Sequence, residues 1–325
     1  MGKNKLLRFL YLVVGLLISI NLFSGCVSPP AIDKTPVRIA MLPILDTIPL
    51  YLAQEAGYFA DEGISVEFIP VGSAAERDQV MAAGRADGMI NDLVSVVLYN
   101  RQGTTVQVVR FMRVASKEVP LYRVLASAKA GIKTAADLAG VPIGISQGSI
   151  IDYVTDQLLL SEGLSADEVK TVAVPNIPER MALLGSGELK AATLPEPFAT
   201  LAIQNGAVVI TDDRSHPEFG NSVISFHKTF LDQHPAAVKG FLKAVERAIT
   251  DINASPEKSR PILSKYNLVP PDLVASYPVP AFPTSSLPSE AQFESVAQWA
   301  RQKGLVDRAV PYAGSVIDNF LVKPE

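Results

Sequence analysis

Five short stretches place polar side chains where a small molecule could be held: Asp46-Thr47, Gly72-Ser73, Asn91-Asp92, Gln147-Gly148-Ser149 and Pro195-Glu196-Pro197. Each follows an apolar run that reads as a β-strand. In open α/β sheets, ligands sit beyond the carboxyl ends of the strands, where helix N-termini offer unpaired amides. The chemistry on offer is recognition by hydrogen bonds and charge. Asp46, Thr47, Ser73, Asn91, Asp92, Gln147, Gly148, Ser149 and Glu196 are therefore the candidate ligand-binding residues. Ser73 and Ser149 are equally suited to capping helices, and Asp46, Asn91 and Asp92 to making turns. Glu196 stands out because the prolines on either side fix the backbone that aims it.

Catalytic chemistry finds little support. His216, His227 and His234 lack the close spacing of a metal site, and His216 and His234 each directly precede a proline. There is no P-loop or G-x-G-x-x-G, and Gly185-Ser-Gly187 reads as a helix stop before a strand. The sequence predicts no catalytic residue, no metal and no cofactor. Arg110, Arg113 and Arg180 are expected to form salt bridges with neighbouring carboxylates, or else to pair with an anion.

The stretch from Gly63 to Asp92 shows how such loops are positioned. Ile64 to Val71 alternates apolar and polar residues as a strand does. Ser73-Ala-Ala-Glu76 has the form of a capping box, with Ser73 accepting from the Glu76 amide and Glu76 reaching back to the Ser73 amide. A short helix follows to Gly84, and Ala86 to Ile90 re-enters a sheet. Shifting Lys170–Pro195 back by 103 residues brings Glu179-Arg180 onto Glu76-Arg77, Gly187 onto Gly84 and Val174 onto Val71. Two similar halves at a fixed offset predict two lobes facing each other.

From Val37 onward, strand and helix alternate, which predicts an α/β fold with mostly parallel sheets. Val37 to Leu42 is the first strand and a helix follows through Ala56. Tyr122 to Ser127 is a strand crossing to the second lobe. Thr134 to Asp137 is a further capping box, Ser222 to His227 is the strand returning, and Phe230 to Asn253 is one long helix. Lobe one is then discontinuous, residues 37–120 and 220–325, with lobe two, residues 121–219, inserted.

Residues 1–25 have a basic start (Lys3, Lys5, Arg8) and an apolar run from Phe9 to Phe23, shorter than the ~20 residues a bilayer span needs. Cys26, the one cysteine, comes next. The arrangement resembles a bacterial lipoprotein signal. Phe23 departs from it, standing where that pattern favours leucine, and an ordinary signal peptide or an uncleaved anchor are the alternatives. All three put the body outside the cytoplasmic membrane, and residues 26–36 form a proline-rich tether. Cleavage before Cys26 leaves 26 of the 29 Lys+Arg against 33 Asp+Glu, a net charge of −7. That balance argues against nucleic acid. With Cys26 lipidated, the folded part has no thiol for a disulfide, a zinc-cysteine site or a nucleophile.

Leu50-Tyr-Leu-Ala-Gln-Glu-Ala-Gly-Tyr-Phe59, Ala86-Asp-Gly88, Ala136-Asp-Leu-Ala-Gly140, Pro195-Glu-Pro-Phe198 and His234-Pro-Ala-Ala-Val238 occur in that order. Together they resemble the ABC-importer solute-binding proteins, in the branch of sulfonate, nitrate and thiamine-pyrimidine binders, over nearly all of residues 37–320. The resemblance implies a type II periplasmic-binding-protein fold, each lobe a mixed, mostly parallel sheet flanked by helices, with the ligand cleft between the lobes. It also implies a lipid-anchored monomer on the extracytoplasmic face that delivers a small molecule to permease subunits. The candidate loops carry Asp46, Asp92 and Glu196 and no Lys or Arg, whereas nitrate and sulfonate binders need cationic or amide-rich sites. The expected ligand is thus a donor-rich neutral or cationic heterocycle, riboflavin or a thiamine-pyrimidine precursor. An alkanesulfonate or nitrate is the alternative, and Arg77 or Arg113 reaching the cleft would reverse the sign. Outside transport, the alternatives are a ligand sensor and a pyrimidine synthase that consumes its own active-site histidine, whose cytoplasmic setting and cysteine-rich motif are both missing.

Overall fold

The computed structural model describes residues 36–322. The leader, the lipidation candidate Cys26 and the tether up to residue 35 lie outside the described residues. Two five-stranded sheets organise the chain, in orders β2-β1-β3-β10-β4 and β7-β6-β8-β5-β9. The first comprises β1 (Val37–Met41), β2 (Val66–Pro70), β3 (Gly88–Asn91), β4 (Val106–Val114) and β10 (Asn221–His227). The second comprises β5 (Tyr122–Ala126), β6 (Pro142–Ile145), β7 (Lys170–Ala173), β8 (Ala191–Pro195) and β9 (Val208–Asp212).

In each sheet the first three strands run parallel and the fourth is antiparallel to both neighbours. That fourth strand is β10 in one sheet and β5 in the other, so the chain crosses between lobes twice, through residues 115–121 and 213–220. The inner parallel strands β1, β3, β6 and β8 are largely buried under the helices of their crossovers, whereas the edge strands β2 and β7 stay partly exposed. Helix Ala74–Ala82 follows β2 and helix Ile177–Ser186 follows β7. Their first residues are 103 apart, as are Gly88 and Ala191, which open β3 and β8. The offset seen in the sequence is thus an offset of whole elements.

Caps fix where these helices start. Ser73 Oγ accepts from the Glu76 amide and Asn176 Oδ1 from the Glu179 amide, each satisfying one of the orphan donors of a first turn. The Glu76 carboxylate accepts from the Gly72 amide and not from that of Ser73, so the expected capping box is shifted by one residue. Thr134 and Asp137 do form theirs. The helix expected from Phe230 to Asn253 is two helices, Lys228–Gln233 and Pro235–Ala254, divided at His234. Pro235 has no amide hydrogen and is suited to a first helical position, so the apolar periodicity runs on while the hydrogen-bond ladder stops.

A large apolar cluster joins side chains of both sheets through helices Leu93–Tyr99 and Ile150–Ser161, and through the C-terminal helix Glu290–Gln302. Trp299 of that last helix donates to Asp156, and Tyr153 bonds to Ser295.

Candidate ligand-binding cleft

The carboxyl ends of both sheets meet around a mostly apolar cavity of about 60 Å³, room for a handful of waters. Lobe one contributes Ile44, Asp46, Arg77, Asn91 and Asp92, and the crossing strands contribute Tyr122 and Ser222. Lobe two contributes Ser146, Ser149, Ile150, Ile177 and Pro195. A second hollow, about 150 Å³, adjoins it and shares Ala74, Ser146, Ser149 and Pro175. Ser73 borders this outer space from one lobe, Gln147 and Gly148 from the other.

Of the nine candidate residues, Asp46, Asn91, Asp92 and Ser149 line the inner cavity, and Ser73, Gln147, Gly148 and again Ser149 the outer one. Thr47 and Glu196 line neither. Thr47 is fully buried and donates to the Ile44 carbonyl at 2.7 Å. Glu196 is held by protein groups on every side. Arg123 Nε donates at 2.7 Å, the Thr200 hydroxyl at 2.7 Å, the Thr200 amide at 3.2 Å and the Tyr277 hydroxyl at 3.0 Å. The flanking prolines do aim this carboxylate, but at Arg123, Thr200 and Tyr277. Tyr277 packs in the core of lobe one, so Glu196 joins the lobes beside the cavity.

The other carboxylates are also paired. Asp46, in the turn after β1, accepts from Arg113 Nη1 at 3.1 Å. Asp92 caps helix Leu93–Tyr99 by accepting from the Ser95 amide, and Arg77 Nη1 lies 3.5 Å from its second oxygen. Arg77 Nε bonds more closely to Asp78, at 2.9 Å. Burial pulls the Arg77 guanidinium down, and Asp78 and Asp92 more than offset it, so it stays charged above its ordinary value. Burial pushes the Asp92 carboxyl up against the opposing pull of Arg77 and the Ser95 amide. The expected acidic cleft is therefore corrected: arginines from β4, β5 and helix Ala74–Ala82 neutralise the acids the loops present.

Asn91 is engaged within the protein, its Oδ1 accepting from the Ser225 hydroxyl at 2.8 Å. Ser149 Oγ caps Ile151 and donates to the Ser146 carbonyl at 2.6 Å. Gly148 takes a positive φ of 67° that lets the loop turn into the helix, and its amide donates to Asp152. Arg77, which the sequence left open as a residue that could reach the cleft, lines the inner cavity, and Ser146 and Ser222 were missed. Arg77 belongs to the repeated Glu-Arg pair, which was its signal; Ser222 had none, lying within a returning strand whose ladder to β4 is irregular between Ser222 and Val223.

Residues 45–259 match the NMT1/THI5-like family. A putative thiamine biosynthesis protein of Haemophilus influenzae is 23% identical over 318 residues, 94% of this chain and 96% of that protein. The nitrate/nitrite binding protein NrtA of a Nostoc species is 26% identical over 243 residues, 67% of this chain and 54% of its own length. Among solved structures, the alkanesulfonate-binding protein SsuA from Xanthomonas axonopodis pv. citri, bound to MOPS, aligns with a TM-score of 0.73 at 16% identity. That alignment covers 87% of this chain and 98% of that one. The two-lobed α/β architecture is that of the periplasmic binding proteins, as the sequence led one to expect.

Proposed function

The chain belongs to the NMT1/THI5-like family, and from that premise we propose that it is the solute-binding protein of an ABC importer. It captures a small molecule between its lobes on the extracytoplasmic face, anchored through Cys26, and presents the closed form to permease subunits. The observation that carries this is the cavity itself, set at the carboxyl ends of two facing sheets and walled by both lobes. A ligand touching both walls favours closure by the contacts it makes only there. Relatives named for nitrate/nitrite binding and a structural neighbour named for alkanesulfonate binding support the same class.

For the ligand, we favour a small molecule with a short apolar body and an anionic head, of the alkanesulfonate class. Riboflavin and a thiamine-pyrimidine precursor drew their support from unpaired carboxylates, and Asp46, Asp92 and Glu196 are all paired. The mostly apolar walls of the inner cavity also suit a short apolar body. A thermal-melt panel on the detergent-solubilised full chain tests this, using an alkanesulfonate, taurine, nitrate, riboflavin and the pyrimidine precursor. A ligand at 100 times its Kd stabilises by about 2.7 kcal/mol. A shift with the sulfonates supports the assignment; a shift with riboflavin or the pyrimidine alone overturns it.

A further inference from the structure

We propose that Arg180 is the counter-charge for the ligand's anionic group, and so the residue that sets the sign of what this cleft accepts. This rests on the importer reading above and names the chemistry of its site.

Arg180 lies in the first turn of helix Ile177–Ser186 and is fully buried. Its Nη1 donates to Ser146 Oγ at 2.9 Å and to the Val174 carbonyl at 2.9 Å. Nε and Nη2 are buried and have no hydrogen-bond partner. Among the described residues no carboxylate pairs with it, against the salt bridge expected from the sequence. Burial lowers its pKa to about 10, so it keeps its proton at neutral pH. A buried guanidinium that remains charged without a counter-ion costs stability that a purely structural side chain would not be kept for.

The repeat shows what has been removed. Arg77 occupies the same place 103 residues earlier, and its charge is met by Asp78 and Asp92. The same offset turns Asp78 into Met181 and Asp92 into Pro195. Lobe two thus keeps the arginine and lacks both acids. The stem of Arg180 passes under Gly144, where an added Cβ would stand 3.4 Å from its Cγ and Cδ. The guanidinium therefore sits one hydrogen bond behind the cavity wall, since Ser146, its partner, lines the cavity.

Ser146 Oγ is the relay. It donates to the Pro175 carbonyl at 3.3 Å, a long bond that is readily exchanged for an anion in the cavity. On the opposite wall Ser222, 4% exposed, also lines the cavity, and its Oγ has no partner. The amide-bearing ends of helices Ile150–Ser161 and Ile177–Ser186 open onto the same space, which adds to the pull on negative charge.

The test uses two variants of the full chain with an alkanesulfonate as probe, read by calorimetry and by melting temperature. Arg180→Met removes an uncompensated charge, so the ligand-free protein should melt at the same or a higher temperature while sulfonate affinity falls roughly tenfold to a hundredfold. Met181→Asp leaves the arginine in place and supplies the counter-ion that Arg77 already has; it should weaken sulfonate binding as well. A structural role would instead lower the melting temperature of Arg180→Met and leave affinity alone in Met181→Asp. Unchanged sulfonate affinity in both variants overturns the role of Arg180 while the importer reading stands. If the wild-type chain binds riboflavin or the pyrimidine precursor and no sulfonate or nitrate, the ligand class falls and this role with it.

Discussion

Asp213 ties the two crossing segments together, and its replacement by asparagine should flatten part of the pH dependence of stability. The carboxylate is fully buried. Its Oδ1 accepts from the amides of Leu121 at 2.9 Å and Tyr122 at 3.3 Å, so residue 213 of one crossing grips the end of the other. Its Oδ2 has no partner and faces Gly220, where an added Cβ would lie 1.9 Å away. Burial pushes this carboxyl up to about 7, Asp212 adds to the rise, and the two amides and Arg113 oppose it. Tyr122 and Arg214 are the other ionisable groups that feel it. An unfolded aspartate titrates near ~3.9. Between those values the folded state binds the extra proton, so stability is fully present below ~4 and is lost as pH rises through about 7. The three-unit gap corresponds to about 4 kcal/mol in all, and to roughly 3 kcal/mol between pH 5 and pH 8. Asp213→Asn keeps an acceptor for Leu121 and Tyr122 but cannot ionise. Urea unfolding of wild type and variant at pH 5, 6, 7 and 8 should show their stability difference shifting by that amount, in favour of the variant at high pH. A difference that stays constant across the range would refute the assignment.

Glu196→Gln should cost roughly 3 kcal/mol in urea unfolding, because Arg123 loses its nearest counter-charge and Thr200 and Tyr277 lose an ionic acceptor. Sulfonate affinity should change little, since Glu196 does not line the cavity; a large loss of affinity with stability intact would reinstate it as a ligand residue. Gly220→Ala should lower the melting temperature by several degrees, as the new methyl collides with the Asp213 carboxylate. Combining it with Asp213→Ala should recover much of the loss, and strict additivity would count against the contact.

The lobes were legible because local signals and the long-range plan agree. Ser73 and Ser149 do cap helices, Gly84 and Gly187 take the positive φ that ends a helix, and the 103-residue offset holds for helix and strand starts alike. The break at His234 escaped because apolar spacing on either side of Pro235 is continuous, and only the missing amide distinguishes two helices from one. The cavity was legible in part for a related reason. Strand ends are found by pattern, so Asp46, Asn91, Asp92 and Ser149 could be placed on it, whereas Ser222 lies inside a strand that enters the cleft only because the chain returns.

Charge was the part that sequence order could not supply. The acids sit at strand ends and can be read in place; the arginines that meet them come from elsewhere. Arg113 reaches Asp46 across 67 positions and Arg123 reaches Glu196 across 73, each from the body of a strand. Reading only the loops therefore makes the cleft acidic, although every acid among the candidates has a cation beside it. Arg180, read from the sequence as the partner of a neighbouring carboxylate or else of an anion, is the cation left over among the described candidates. The preferred ligand changes sign because the unneutralised charge of a cleft belongs to the packed structure. It depends on which arginines find partners, and in the two halves of this chain the same arginine meets two different answers.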